Sequence, residues 1–458
     1  MAGQEIKKLS DFPAVEKLLQ SKSLALQLKK LPRPVATSVI QATIRQAKQE
    51  FKTNKRVLTQ SGLNKTIIGN LQARSKKEVC RVINATGIPL HTNLGRAPLG
   101  EAVLKDIQVS LAGYSNLEFD LETGSRGKRG EACEQYLAQL SGAESATVVN
   151  NCAAALFIIL NTFALRKNVI LSRGEMVQIG GGFRIPEILK RSGAKLTEIG
   201  TTNITTADDY SQAIDKGSKV ILKVHRSNFQ LSGFTKEVSA KELAQIARQK
   251  DLILVNDLGS GALFPTKKLF GHNEPTVQQS VRDGAHLTCF SGDKMPGGVQ
   301  AGLIVGKREL IDKIKSNPLF RAVRVDKIVF LILERLFKTY LDNTYQENIK
   351  IWQLLAVTES ELYSRAKSII KQLGNPTGLS AQATSAFLGG GGMPETELPS
   401  AGLIFSQDFP ATKLLKKLRS MNPPVIARIE NDRLIVDLKA VDKSELNILT
   451  KSIKQILK

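Results

Sequence analysis

The chain has 458 residues, of which 42% are hydrophobic, and a formal net charge of +23. This length predicts two or three domains, each able to bury a core. No apolar run is long enough to span a membrane, the first residues lack the apolar core of a signal peptide, and the four cysteines form no CxxC pair. The composition therefore excludes a protein with transmembrane helices, and it predicts reduced thiols, a cytoplasmic location and no metal site.

More than half of the charge excess lies in the first sixth of the chain. Residues 1–77 contain 16 Lys and Arg against 4 Asp and Glu, a net charge of +12. Such asymmetry is typical of proteins that bind a polyanion, and nucleic acid is the obvious candidate. A solubilising basic tail would have the same composition, so charge alone does not identify RNA.

Residues 1–77 are predicted to form a separate basic helical domain that ends in a linker. Pro34 stands where a helix can begin. An apolar face then recurs at helical spacing, formed by Ile40, Ile44, Ala47 and Phe51. Another face carries a basic stripe, which consists of Arg45, Lys48, Lys52 and Lys55. Only Glu50 interrupts the stripe, which favours contact with phosphates. The polar and basic residues 54–78 are interpreted as the linker.

From residue 78 to 325 short apolar runs alternate with segments of helix length. The predicted strands are 146–149, 169–171, 195–199, 220–224, 252–256, 287–290 and 303–305. A helix is predicted at 240–249, where Ser239 and Glu242 have the spacing of a capping box. This alternation indicates an α/β fold with a mostly parallel sheet covered by helices on both faces.

Polar residues follow several of these strand ends, where ligands bind in such sheets. We expect Asn151, His225, Asp257 and Ser291 to share one site for this reason. Asn151 and Cys152 open an apolar helix whose first amides would suit a phosphate, and the Ser291 hydroxyl could bind the same group. His225 could lie over a cofactor ring, although a strand-end histidine often has only a structural role.

Lys294 lies in a tight Ser/Gly-rich loop, 37 residues after Asp257. This is the layout of an enzyme that holds pyridoxal phosphate (PLP) as a Schiff base. A desolvated lysine amine is a nucleophile, and a carboxylate on an earlier strand can keep the pyridine nitrogen protonated, which makes the ring an electron sink. Taken alone, Lys294 could be an ordinary solvated loop residue. The flanking glycines and Asp257 favour the cofactor.

Three arginines near the edges of this region could bind an oxyanion. Arg96 lies in an irregular loop, and Arg321 and Arg324 are three residues apart, which predicts that they share one helical face. Guanidinium groups bind phosphate-like oxyanions well. A salt-bridge network would use the same residues, and the pattern alone favours that alternative.

Residues 326–458 are predicted to form a helical connection and a small α+β domain. Helices are expected at 329–340 and 360–372, followed by the glycine run 389–392. Two strand-like segments, 425–430 and 433–438, are joined by a short polar link that is typical of a hairpin turn.

Together these segments resemble the bacterial L-seryl-tRNA(Sec) selenium transferases, or selenocysteine synthases, a family of fold-type-I PLP enzymes. The resemblance covers nearly the whole chain, and its most specific stretches are 81–98, 114–129, 172–186, 200–203, 223–234, 256–262, 291–302 and 317–327.

The resemblance implies that Lys294 forms the Schiff base and that Asp257 contacts the pyridine nitrogen. Asp293, next to the lysine, would tune its pKa or orient it. The resemblance also implies that Arg96, Arg321 and Arg324 form the pocket for selenophosphate.

The implied reaction converts seryl-tRNA(Sec) to selenocysteinyl-tRNA(Sec), by elimination of the serine hydroxyl and addition of selenium from selenophosphate. The basic N-terminal domain would bind the tRNA, and the chain would form a homo-oligomer, typically a decamer built from dimers. A selenophosphate synthetase would supply the donor.

Several residues differ from the pattern of the family. Cys152, Gly182 and Phe229 stand where Asn, Ser and Tyr are expected, and Val299 ends a Met-Pro-Gly-Gly-Val segment in place of Leu-Leu-Gly-Gly-Pro. These differences leave the lysine and the arginines in place.

Two other functions compete with this interpretation. A PLP-dependent lyase for a small amino acid or amino sugar would leave the charge of residues 1–77 unexplained. An RNA-binding protein with an inactive core would not need Lys294, Asp257 and the three arginines.

Overall fold

The structure is a computed structural model that describes residues 5–54, 58–75, 78–179, 182–227, 229, 231–267, 271, 274–389 and 397–457. The chain divides into two compact units, Met1–Arg81 and Val82–Lys458. The division into three domains at residues 77 and 325 stays a prediction. In the described part of the chain, no helix combines the length and the apolar character needed to cross a membrane.

The first unit is a small helical bundle. Its helices are Val15–Leu19, Ala25–Leu28, Arg33–Asn54 and Gln60–Ser75, and a short antiparallel pair joins Glu5–Ile6 to Leu58–Thr59. The predicted helix after Pro34 is confirmed, and its predicted apolar face packs into the core of this unit.

The predicted linker is wrong over Gln60–Ser75, which is helical. Leu63, Ile67 and Leu71 recur every four residues and are buried in the same core as the long helix. The segment was not predicted as a helix because polar residues outnumber these three apolar ones.

The basic stripe is only partly as predicted. Arg45 and Lys52 are exposed, whereas Lys48 is half-buried with its Nζ 5.6 Å from the centre of the Phe12 ring. Lys55 lies outside the described residues.

The second unit is built on a seven-stranded sheet. Its spatial order is Ser145–Val149, Gly302–Gly306, Leu287–Ser291, Ile253–Gly259, Ser218–Val224, Asn168–Ser172, Lys195–Ile199. Gly302–Gly306 is antiparallel to both of its neighbours, and the remaining pairs are parallel. The predicted strands and the mostly parallel sheet are confirmed.

Helices cover both faces of this sheet because alternate side chains of each strand point in opposite directions. Leu303 and Val305 pack in one core, and Ile304 packs in another. The α-helices of the unit are Glu101–Ala112, Glu131–Ser141, Cys152–Phe163, Ile185–Arg191, Ala207–Ala213, Ala240–Gln249, Val277–Arg282, Arg308–Ser316, Lys327–Leu341, Tyr345–Asn348, Lys350–Ala356, Glu359–Gln372, Ala411–Leu418 and Leu446–Ile456. The capping box of Ser239 and Glu242 is formed as predicted.

A second, five-stranded sheet combines the end of the chain with the start of this unit. Its order is Leu379–Phe387, Glu397–Phe405, Arg433–Asp437, Val425–Glu430, Ile83–Ala85. The predicted hairpin is confirmed. The glycine run lies outside the described residues from residue 390 onward. Because Ile83–Ala85 belongs to this sheet, the loop that carries Arg96 starts from a fixed point.

Replacing Gly302 by alanine should destabilise the sheet beside Asn151. A Cβ at this position would overlap the backbone oxygen of Asn151 and approach Val149 Cγ2 to 2.9 Å, so the strand has to move. We expect Gly302→Ala to lower the free energy of unfolding by about 1–3 kcal/mol, measured by urea denaturation.

Gly113→Ala is the control, since its Cβ would lie 3.6 Å from its nearest neighbour, Val109 O. Equal stability of the two variants would contradict the prediction.

Candidate active site

Lys294 lies in a buried loop directly after the strand Leu287–Ser291, and 3% of it is exposed. The Gly297 N–H donates to Lys294 O at 2.9 Å, and the Gly298 N–H donates to Gly292 O at 2.9 Å. Gly297 has φ 76°, and a Cβ there would lie 2.6 Å from Ile349 and Ile351 side chains. The Gly-rich sequence after the lysine is therefore needed for the turn that fixes the amine inside the protein.

The amine of Lys294 is electrostatically prepared to react. Burial is the main cause that lowers the pKa of Lys294, and the charge of Arg96 lowers it further, against the opposing effects of Cys152, Asp257 and Asp293. A lower pKa increases the share of neutral amine, which is the nucleophilic and basic form.

Asp257 is the buried carboxylate of the same site, with 6% exposed. It follows Asn256 on a central strand and is the register partner of Cys289 on the next strand. The Cys152 thiol donates to Asp257 Oδ1 at 3.4 Å and the Gly259 N–H donates to it at 3.0 Å. Burial nevertheless raises the pKa of Asp257, against the effects of Cys152, Lys294 and His225.

Both side chains line a cavity of about 270 Å³. Its described lining residues are Arg96, Asn151, Cys152, Ala153, Asp257, Gly259, Ser291, Asp293, Lys294, Gln300 and Ala301. The structure therefore brings together most of the residues that the sequence predicted for a cofactor site.

One wall of the cavity is the beginning of the helix Cys152–Phe163. Asn151 caps this helix, and its Oδ1 accepts from the Ala154 N–H at 2.9 Å. The first amides of a helix have no partner within it and attract anions. With the buried Ser291 at the same cavity, this wall has the donors that a phosphate needs.

Arg96 forms another wall and is held by Asp293. Its Nη1 lies 3.0 Å from both carboxylate oxygens of Asp293, and the Ala97 N–H donates to the backbone oxygen of Asp293 at 3.2 Å. Arg96 has φ 61°, in the left-handed region that non-glycine residues seldom adopt. The ion pair ties the Arg96 loop to the Lys294 loop.

The other two predicted arginines are not in this cavity within the described chain. Arg324 lines a different cavity of about 540 Å³ with Arg126, Arg129 and Lys315, and Arg321 is exposed. The prediction that Arg321 and Arg324 share a helical face is wrong, since the 3-10 helix Pro318–Val323 ends before Arg324, which has extended φ and ψ.

His225 follows its strand as predicted, but its ring has a carboxylate partner. His225 Nε2 lies 3.1 Å from Oε1 of the buried Glu274, and the described lining of the Lys294 cavity does not include it. A position over a cofactor ring stays a prediction.

Four further residues near the amine and the carboxylate were not predicted from the sequence. Gln300 lines the cavity, Cys289 adjoins Asp257, Gly259 lies close to Lys294, and Ser227 lies close to Gly259. A Cβ on Gly259 would lie 3.7 Å from Lys294 Nζ and 3.3 Å from Ser227 Oγ, and its φ is 62°. The position of Gly259 at the end of its strand was the signal in the sequence that another group approaches the backbone closely there.

The residues of this cavity fit PLP. Lys294 can bond to its aldehyde carbon, Asp257 can bind the pyridine nitrogen, and Ser291 with the helix start at Cys152 can bind the phosphate. All of these groups come from rigid elements or from the glycine-fixed loop, which is what such a site needs.

Comparisons with known proteins agree with this site. The family described as SelA, L-seryl-tRNA selenium transferase, matches residues 82–442. The chain is 40% identical over 441 residues to the L-seryl-tRNA(Sec) selenium transferase of Aquifex aeolicus, covering 95% of this chain and 97% of the relative. It is 38% identical over 458 residues to the enzyme of the same name from Geotalea daltonii, covering 98% and 99%.

Among solved structures, D-glucosaminate-6-phosphate ammonia-lyase is similar in fold. It aligns with a TM-score of 0.60 at 18% identity, over 82% of this chain and 96% of that one. This likeness confirms the fold class that the sequence predicted. The family match over most of the second unit, together with the identity over nearly the whole chain, shows that the chain belongs to the L-seryl-tRNA selenium transferase family.

Proposed function

We propose that this protein converts seryl-tRNA(Sec) to selenocysteinyl-tRNA(Sec), with PLP bound at Lys294 and selenophosphate as the selenium donor. One observation carries the proposal: the buried Lys294 amine shares a cavity with the buried Asp257 carboxylate, in a chain of this family. The amino-sugar lyase alternative gains only a shared fold from the structural neighbour.

PLP, when bound, supplies an electron sink for the negative charge that develops at the α-carbon of serine. Lys294 is the base for the α-proton, because its lowered pKa favours the neutral amine. Asp257 provides the negative charge that keeps a pyridine nitrogen protonated. Its burial strengthens that interaction, since water does not screen it.

Arg96 is the residue that we assign to selenophosphate within this cavity. Its guanidinium is partly exposed, with 26% of the side chain accessible, and only Nη1 is used by Asp293. The remaining N–H groups can donate to an oxyanion. Asp293 thus orients Arg96, and its own charge raises the pKa of Lys294 against the effect of burial.

Arg321 and Arg324 would complete the selenophosphate pocket in a homo-oligomer, for which the resemblance suggests a decamer built from dimers. The exposure of Arg321 supports this assignment, since an exposed arginine is available to a second copy. The exposed Arg45 and Lys52 of the first unit would contact the tRNA backbone. Charged tRNA is a cytoplasmic substrate, so the proposal places the enzyme there.

Lys294→Ala should abolish the Schiff base with PLP and lower turnover by about 100-fold or more, because the base and the anchor are both lost. The visible absorption of the purified protein with added PLP measures the first effect. Borohydride reduction followed by peptide mass spectrometry should place the pyridoxyl group of the unmutated protein on Lys294. The buried Lys439 serves as the internal control, and a label there would overturn the assignment.

Arg96→Lys should raise KM for selenophosphate by about 10- to 100-fold. A lysine ammonium cannot keep the ion pair with Asp293 and at the same time donate two parallel hydrogen bonds to selenophosphate. Steady-state assays at saturating seryl-tRNA(Sec) measure this. Asp293→Asn is the matched control, since it weakens the ion pair but keeps the guanidinium. If Asp293→Asn raised KM as much as Arg96→Lys does, loss of the ion pair alone would account for the effect, and the assignment of the Arg96 guanidinium to selenophosphate would be contradicted.

Arg45→Glu with Lys52→Glu should weaken binding of seryl-tRNA(Sec) and reduce the slope of log K against log salt by about 1 for each lost phosphate contact. Lys29→Glu with Lys30→Glu is the control, because it makes the same charge change at exposed residues of the same unit outside the stripe. Filter binding of seryl-tRNA(Sec) at several salt concentrations measures the affinity and the salt slope of both double variants. A similar loss in both variants would show that net charge, not the stripe, attracts the tRNA.

A further inference from the structure

Two of the four cysteines meet beside Asp257, although they are far apart in the sequence. Cys152 Sγ lies 3.4 Å from Asp257 Oδ1. Cys289 pairs in register with Asp257 on the neighbouring parallel strand, so both side chains point to the same face of the sheet. The two sulfur atoms and a carboxylate oxygen all lie within 4.8 Å of one another.

These separations are close to those of a metal ligand set. A tetrahedral zinc ion with Zn–S near 2.3 Å and Zn–O near 2.0–2.2 Å places a sulfur and an oxygen ligand about 3.5 Å apart, and two sulfurs about 3.8 Å apart. The distance between Cys152 and Asp257 agrees with this value, and Cys289 needs to shift by at most about one ångström. Sulfur ligands favour zinc and cadmium over magnesium or calcium.

The three ligands stand on rigid elements. Cys152 is the first residue of the helix Cys152–Phe163, and Asp257 and Cys289 lie on adjacent central strands. Cys152 and Asp257 line the Lys294 cavity, so a cation has a route to them and a fourth position open to water. The spacing of the cysteines along the chain predicted no metal site. That spacing does not show that the helix start at Cys152 lies beside the strands of Asp257 and Cys289.

We propose that Cys152, Asp257 and Cys289 bind one thiophilic divalent cation of the Zn²⁺ or Cd²⁺ type, in competition with the cofactor. On binding, both thiols release their protons to solvent, and two thiolates and the carboxylate coordinate the metal with a net charge of −1. The guanidinium of Arg96, which lines the same cavity, offsets that charge. The competition rests on the proposed function, because Asp257 cannot coordinate a metal and bind the pyridine nitrogen together.

Cysteine is a departure from the family pattern at residue 152, where asparagine is expected. An asparagine there would keep a hydrogen-bond donor for Asp257 and would remove one sulfur ligand. Cys152→Asn therefore separates the two roles of this side chain, which are hydrogen bonding to Asp257 and coordination of a metal.

Titration of the full-length, PLP-free protein with Cd²⁺ tests the proposal. All proteins carry Cys80→Ala, which removes the exposed thiol. We expect an ultraviolet thiolate-to-cadmium charge-transfer band that saturates at one Cd²⁺ per chain, with release of two protons. Cys152→Asn and Cys289→Ala should each abolish this band. Cys133→Ala is the matched control, since Cys133 is equally buried but packs in a different core from Cys289, and it should keep the band.

A band that is missing from the parent protein, or that survives both Cys152→Asn and Cys289→Ala, would overturn the site. Cys152→Asn should still show the PLP absorption band, which establishes that the cavity is intact. Protein loaded with PLP first should show no saturable cadmium band, and equal binding with and without PLP would overturn the competition. The PLP spectrum of the metal-free parent tests the proposed cofactor separately, so failure of one idea is distinguishable from failure of the other.

Discussion

The site depends on two groups of opposite charge, Lys294 and Asp257, that are buried at the carboxyl ends of neighbouring elements of one sheet. Removing an ion from water costs several kcal/mol, and attraction between partners offsets this only when the geometry is good. Burial accordingly lowers the pKa of Lys294 and raises that of Asp257, which moves both toward their neutral forms. A ligand that brings a pyridinium to Asp257 and an aldehyde to the Lys294 amine supplies a partner for each group, so its binding would also stabilise the site.

Rigid backbone keeps these two groups in place without a direct bond between them. Asp257 is fixed by the register of its strand with Val224 and Cys289, and Lys294 is fixed by a turn that requires Gly297. Gly259 allows the strand end to pass close to the lysine amine. Both glycines act through the absence of a Cβ atom, which at Gly297 would clash with Ile349 and Ile351 and at Gly259 would lie beside the lysine amine.

The sequence allowed much of this arrangement to be predicted, for identifiable physical reasons. Strand ends of a parallel sheet meet at one edge, so Asn151, Asp257 and Lys294 could be placed together from their positions after apolar runs. The position of Arg324 could not, because a 3-10 helix that stops one residue early moves it off the expected face. The helix Gln60–Ser75 was hidden since its three buried side chains are few among many polar ones. Partners distant in sequence, such as Glu274 for His225 and Cys289 for Asp257, have no local signal.

Cys152 shows how one substitution can preserve a site while changing its chemistry. A thiol is a weak hydrogen-bond donor compared with the amide expected there, so it stabilises the ionised carboxylate of Asp257 less. The Gly259 N–H, at 3.0 Å from Asp257 Oδ1, supplies a second donor that does not depend on the side chain at residue 152. The carboxylate thus keeps support from the backbone, which frees residue 152 to vary. Once that residue is a cysteine beside Cys289, the same geometry that serves a pyridine nitrogen also suits a soft metal ion. The affinity of the cavity for its cofactor then depends on excluding that ion as well as on binding the ring.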